Sequence, residues 1–343
     1  MKKIFWNNQE HRLRALWRIC LQFLLMLILV IGGTAIVGIV YTVIMTLTQG
    51  TLEPDAASLM EQATQSIGFS TAGAVATFCA TLISVGLIGH FVDRRRLRDF
   101  GFSFNWGWLV DFGFGLGLGT LLMTGIFCIE WLAGWIQPSL GITLELRYVL
   151  NIAAQFLLFF CVGIYEETLA RGYQLRNLAE GLNWPKLGPR GALLLAWGLT
   201  SIVFGLGHAG NPNATIISTL NIALAGLFLG LGYILTGELA IPIGLHMTWN
   251  LFQGTIFGFP VSGGTWGASL IAIQQSGPTL WTGGAFGPEA GLVGIAAMLA
   301  GSGLILLWVR MRRGKVQWAA RIAKYTDPRI ENKHTKPCLN SAQ

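Results

Sequence analysis

Residues 157–175 read LLFFCVGIYEETLARGYQL. Nine uncharged, mostly apolar residues run into two adjacent glutamates, Glu166 and Glu167, with Arg171 four positions after the second. A charge at the centre of a bilayer costs about 2.5–3.5 kcal/mol on insertion scales, so ionisable groups that persist at such depth are paired, wetted or used. Whether the run before them lies in a membrane decides the fold, and the rest of the chain answers that it does.

Of the 343 residues, 53% are hydrophobic and 11% are charged, where a soluble domain carries about 25% charged residues. The mean hydropathy is +0.57. Apolar stretches long enough for a spanning helix, about 20 residues, occur near 19–48, 70–91, 107–136, 147–166, 191–207, 214–236, 239–257 and 290–309. The expected fold is therefore all-α, a polytopic membrane helix bundle of about eight transmembrane helices. It divides into an N-terminal segment 1–18, a membrane domain 19–309 and a basic tail 310–343. The first stretch is too long for a signal peptide and lacks a cleavage site, so it reads as a retained span. The fifth is short and holds Gly198, Gly205 and Gly207, which suggests that it does not cross fully.

Lys and Arg are distributed unevenly. Of 23, 22 fall in segments 1–18, 92–106, 167–190 and from Arg310 onward, while Arg147 stands alone. With eight spans these four segments share one side. The positive-inside rule then predicts a multi-pass protein of the cell membrane with both termini cytoplasmic. The formal charge of +7 accordingly reports topology, and the expected partner is the lipid bilayer, not nucleic acid. The five cysteines form no CxxC pair, so neither a disulfide framework nor a zinc knuckle is implied. The run FGFGLGLGT at 112–120 lacks the Lys-Ser/Thr of a phosphate loop and predicts close helix packing. Asp111, Glu130 and the tryptophans 106, 108, 131 and 135 flank the third span and read as interfacial.

Three polar clusters interrupt the apolar background: Glu166-Glu167-(x)3-Arg171, Phe204-(x)3-His208 and His246-(x)3-Asn250. If the fourth helix continues past 167, Glu167 and Arg171 are i,i+4 neighbours that can pair. Glu166 points roughly 100° away and lacks that partner. Phe204 and His208 share a helix face, and so do His246 and Asn250. A free carboxylate, two imidazoles and an amide converging in a bundle are the inventory of a water-activating hydrolase. Buried Glu and His also serve proton- or ion-coupled transporters, but no internal repeat is visible here. A non-catalytic membrane scaffold is the third reading.

The strings EETLAR, FGLGH and HMTWN, in this order on three membrane segments, resemble the CPBP family of CAAX-protease and bacteriocin-processing (Abi) intramembrane proteases, which includes the type II prenyl-protein endopeptidases. The resemblance covers about residues 160–255, and the stretch SGPTLWTGGAFGPEAGLVG extends it to about 295, for a protease core of about 147–295. It implies an intramembrane endopeptidase acting on a membrane-associated or C-terminal peptide, or on a membrane protein. By position, Glu166 and His208 correspond to the groups that activate water. His246 and Asn250 correspond to groups that stabilise the oxyanion or help bind metal. Glu167, Arg171 and Phe204 take structural or substrate-positioning roles. Glu166, His208 and His246 could supply the three protein ligands of a catalytic zinc, although the chain has no HExxH. Two histidines with a carboxylate suit zinc, so the metal-assisted site is the first expectation and a metal-free glutamate mechanism the alternative.

Overall fold

The computed structural model describes residues 2–49, 62–63 and 66–326. The last part of the basic tail, with Cys338, lies outside the described residues. The principal helices are α1 (Ala15–Gln49), α2 (Ile67–Phe91), α3 (Trp106–Leu132), α4 (Leu146–Glu167), α5 (Gly188–Gly207), α6 (Ile216–Thr236), α7 (Ala240–Asn250) and α8 (Leu292–Arg313). α4 continues unbroken as a π-helix, Thr168–Leu175, and then as α-helix, Arg176–Gly181. α7 runs on into a second π-helix, Leu251–Ile256.

Local chemistry sets these boundaries. Asn105 caps α3 by accepting the Trp108 N–H at 2.9 Å, and Thr215 caps α6 through the Ser218 N–H at 3.1 Å. Each satisfies a donor that the first helical turn leaves without a partner. Gly237 closes α6 in the left-handed region at φ 77°, a conformation glycine adopts without the Cβ clash other residues meet.

Seven helices among the described residues are long and apolar enough to cross a membrane, α4 being counted through Gly181. α5 is one of them, with 20 residues, so the glycines behind the expectation of an incomplete fifth span do not bring the helix below a spanning length. The remaining expected span, α7, has 11 residues. All of them except Met247 are buried, so α7 is the central stave of the bundle and presents almost nothing to lipid.

Glycine brings α7 against α3. A Cβ on Gly115 would stand 2.5 Å from the Ile241 carbonyl oxygen, and one on Gly119 2.6 Å from that of Leu245. On the opposing helix, a Cβ on Gly244 would stand 2.5 Å from the Phe112 oxygen. Those separations admit no side-chain carbon, so the backbones meet directly. Small residues make this kind of contact between membrane helices, where van der Waals packing drives association. It is the packing the 112–120 run predicts.

The helix ends collect on two faces. On one, Arg18 reaches Asp93 beyond α2 at 2.7 Å, and Arg12 reaches Glu180 at the end of the α4 continuation at 2.6 Å. There also the Leu239 N–H donates to the Gly101 carbonyl at 3.0 Å, and the Ala319 N–H to that of Ile234 at 2.7 Å. This is the face of the four Lys/Arg-rich segments, and successive segments alternate in direction between it and the other. The opposite face is closed by an antiparallel ribbon that sequence periodicity does not reveal, β3 (Ile136–Leu140) paired with β4 (Ile271–Gln275). A smaller ribbon, β1 (Trp6–Asn7) with β2 (Arg12–Leu13), precedes α1.

Three interfacial assignments need correction. Asp111 and Glu130 are buried: Asp111 accepts the Trp308 indole N–H at 2.9 Å and meets Arg313 at 3.4 Å. Trp106 and Trp131 are exposed as expected, but Trp108 is buried and donates to the Gly101 carbonyl at 3.0 Å.

Candidate active site

Glu166 and Glu167 lie just past the midpoint of the continuous helix Leu146–Gly181. The extension carries the helix 15 residues beyond Glu166, where the apolar stretch ends, so Glu166 does not stand at a helix end. Gly163, one turn before Glu167, lets α4 approach α7: a Cβ there would stand 2.5 Å from Met247 Cγ and 3.1 Å from the Met247 nitrogen. The approach places His246 against both glutamates. Immediately after the pair the backbone widens into the π-helix, a rare form that recurs at functional sites. A second π-helix follows Asn250 in the same way.

Glu167 is fully buried. Its Oε1 accepts from Arg171 at 2.8 Å and pairs with His246 Nδ1 at 2.8 Å, so the expected Glu167–Arg171 pair is present. Arg171 also donates to the Gly226 carbonyl at 2.9 Å, and its guanidinium lies 4.4 Å from the centroid of the Phe204 ring. Glu167, Arg171 and Phe204 are thus joined in one chain of contacts, with the two charged residues buried and Phe204 half-buried. Carboxylate, fork and ring fix one another, and the carboxylate fixes the imidazole of His246.

With Nδ1 held by Glu167, His246 turns Nε2 toward Glu166, 3.9 Å from Oε2. That Oε2 is buried and has no hydrogen-bond partner, although Glu166 lines a cavity of about 1450 Å³. His208, His246 and Asn250 line the same cavity. His208 pairs through Nδ1 with the Phe204 carbonyl at 2.8 Å. A carbonyl only accepts, so Nδ1 is the protonated nitrogen and Nε2 is the one left free. All four expected catalytic residues therefore meet one cavity, and the imidazole beside Glu166 is that of His246.

The fit to a metal is poor. Among the described residues no three His, Cys, Asp or Glu side chains are grouped so as to hold an ion. Glu166, His208 and His246 share a cavity without closing on a common point, although the contact of His246 Nδ1 with Glu167 leaves Nε2 able to ligate.

Sequence reasoning did not single out Glu289. It is buried and accepts from the Ser262 backbone N–H at 2.5 Å and from the Gln253 side-chain amide. It thereby pins the loop 261–264, whose Val261, Ser262 and Gly264 wall the cavity. Burial pushes its carboxyl up to about 7 despite these hydrogen bonds. Its only signal is a lone acid in the stretch 276–294.

Residues 148–252 match the family model described as type II CAAX prenyl endopeptidase Rce1-like. The matched segment contains all seven residues of the three clusters. No curated protein and no solved structure matches the chain.

Proposed function

We propose, on the premise that residues 148–252 are an Rce1-like domain of the type II CAAX prenyl endopeptidases, that this chain hydrolyses a peptide bond at Glu166 inside the membrane domain. Intramembrane endopeptidase is the activity that domain supports in general terms. The observation that carries the assignment to Glu166 is its Oε2: buried, without a partner, on a residue facing the cavity.

The reaction needs no group beyond this chain and a water. Glu166 takes a proton from the water as its oxygen bonds to the scissile carbonyl carbon. His208 Nε2 accepts a hydrogen bond from the same water and orients it. Negative charge develops on the carbonyl oxygen, where the Asn250 amide donates, together with His246 in its protonated form through Nε2. The carbon–nitrogen bond then breaks, and the proton held by Glu166 passes to the leaving amine. Glu167, anchored by Arg171, keeps the His246 ring oriented throughout.

The substrate this supports is a membrane-associated peptide. The cavity exceeds the roughly 300–1,000 Å³ of small-molecule sites. The test is cleavage of quenched fluorescent peptides by purified protein in detergent, wild type against Glu166→Gln. Cleavage by the wild type that the variant lacks is the expected result, and equal cleavage by both overturns the reading. Elemental analysis of the active preparation belongs in the same experiment: a full equivalent of bound metal needed for turnover would replace the glutamate-only scheme.

A further inference from the structure

The cavity and the Lys/Arg-rich face occupy opposite ends of the bundle. Arg147 and Asn151 at the start of α4, Ser66 before α2, Asn211 after α5 and Thr265 after α7 line its outer part. Each lies at the helix end remote from Arg12, Arg18, Arg95 and Arg176, which gather around Glu180. Of the 23 Lys and Arg residues, 22 belong to the segments of that other face, and the exception, Arg147, stands at the cavity mouth. Arg147 is exposed, and no described carboxylate pairs with it. A cation in the first turn of a helix is opposed by the helix dipole, so α4 gains nothing from it.

Between the mouth and Glu166 the cavity follows α4. Leu150, Ala154, Leu158 and Val162, each four positions apart, line it down to Glu166. Nineteen positions separate Arg147 from Glu166. At 1.5 Å per helical residue that is about 28 Å, which an extended peptide covers in about eight residues. By the positive-inside rule the Lys/Arg-rich face is cytoplasmic, which puts the mouth on the outer side.

We infer that the substrate is a peptide segment exposed on the non-cytoplasmic side, entering extended and placing a carboxylate at Arg147, about eight residues from the bond cut. The inference rests on the endopeptidase reading for its chemistry, and its sidedness is separately measurable.

A charged, membrane-impermeant peptide is given to the full-length protein in detergent, in right-side-out vesicles and in inside-out vesicles. Cleavage in detergent and in right-side-out vesicles is expected. Cleavage in detergent and only in inside-out vesicles overturns the inference and leaves the protease reading intact, whereas no cleavage in detergent counts against the protease reading itself. In that last case access is decided by labelling. A membrane-impermeant maleimide added to right-side-out vesicles is expected to modify Arg147→Cys and not Arg98→Cys on the opposite face, with the unsubstituted chain as blank; the reverse pattern overturns the inference. The carboxylate is tested by Arg147→Gln, expected to raise KM about three- to five-fold, the scale of an exposed ion pair, with kcat unchanged and Arg147→Lys restoring KM. Peptides whose acid eight residues from the cut is replaced by its amide should lose this dependence, and an effect that persists on them removes Arg147 from the proposal.

Discussion

Glu166 and Glu180 stand on one continuous helix, Leu146–Gly181, and their surroundings differ in kind. Glu180 is enclosed by guanidinium groups: Arg12 at 2.6 Å, Arg18 at 3.3 Å, Arg176 at 3.7 Å and Arg95. Asp93 joins the same cluster through Arg18 and the Tyr173 hydroxyl, the latter at 2.8 Å, and the Arg12 guanidinium stacks 3.4 Å from the centroid of the Tyr325 ring. Glu166 has the edge of one imidazole at 3.9 Å, the hydroxyl of its neighbour Tyr165 and a cavity. Burial of a charge is costly in both places. At Glu180 the cations offset that cost and tie the N-terminal segment, α2, α4 and residues near 325 together. Glu166 is only partly buried and no guanidinium among the described residues pairs with it, which suits the proposed role of taking a proton.

The largest effect expected from this contrast is at the saturated end. Glu180→Ala leaves several buried guanidiniums without their anion, and breaking even one buried pair by removing one partner costs about 3–5 kcal/mol. Little folded protein should survive purification, and what does should unfold at a much lower temperature. A variant that purifies and melts like the wild type would show that the network is not the scaffold of that face.

The next effect is catalytic. Glu166→Gln keeps the shape and loses the base, so the turnover rate should fall about 10²–10⁴-fold while the melting temperature holds. Residual activity within a few-fold of wild type, or a large fall in stability, would erase the distinction between the two glutamates.

Much of this contrast was legible in the sequence, and what was not has physical causes. Glu167 with Arg171, and His246 with Asn250, are spaced so that helical geometry alone puts each pair on one face. The Lys/Arg asymmetry and the long apolar runs mark the two faces before any coordinates. Apolar periodicity does not announce a π-helix, because Thr168–Leu175 and Leu251–Ile256 contain ordinary helix residues. The β3–β4 ribbon joins strands more than 130 positions apart, and its residues carry no alternation strong enough to predict it. α7 passes for a lipid-facing span in a hydropathy reading because an apolar helix buried in protein and one buried in lipid have the same composition. The Glu180 cluster was hidden for a related reason: each of its arginines reads as a cytoplasmic surface charge until the fold brings them to one carboxylate.

Within the open end, Asn250 sharpens the division of labour. Asn250→Ala should lower the rate by about 10²–10³-fold, the scale of one oxyanion-hole donor, with KM little changed. A raised KM at unchanged kcat would instead make the amide a substrate-binding group.

The smallest effect expected is a pH dependence of stability at Glu289, the third carboxylate on which the comparison turns. It is buried like Glu180 but pairs with no cation among the described residues, meeting instead donors from Gln253 and from the Ser262 backbone and hydroxyl, and burial raises its carboxyl from 4.5 to about 7. Between those two values the folded chain holds a proton that the unfolded chain has released, so stability falls as pH rises through the window. The contribution is complete below about 4.5 and lost above about 7. A shift of that size corresponds to at most about 3 kcal/mol. Glu289→Gln keeps the volume without the titration, and Gln253 Oε1, buried without a partner, supplies an acceptor for the new amide. The difference in melting temperature between wild type and variant, measured in detergent from pH 5 to pH 8, should therefore shift steadily in favour of the variant as pH rises. The loop 261–264 forms part of the cavity wall, so cleavage by the wild type should lose thermal tolerance over the same range. A difference that is flat, or that moves toward the wild type, would mean that Glu289 stays ionised in the fold. The donors from Gln253 and Ser262 would then suffice to hold a buried carboxylate without any cation, and the contrast with Glu180 would have to be drawn on hydrogen bonds, not on charge.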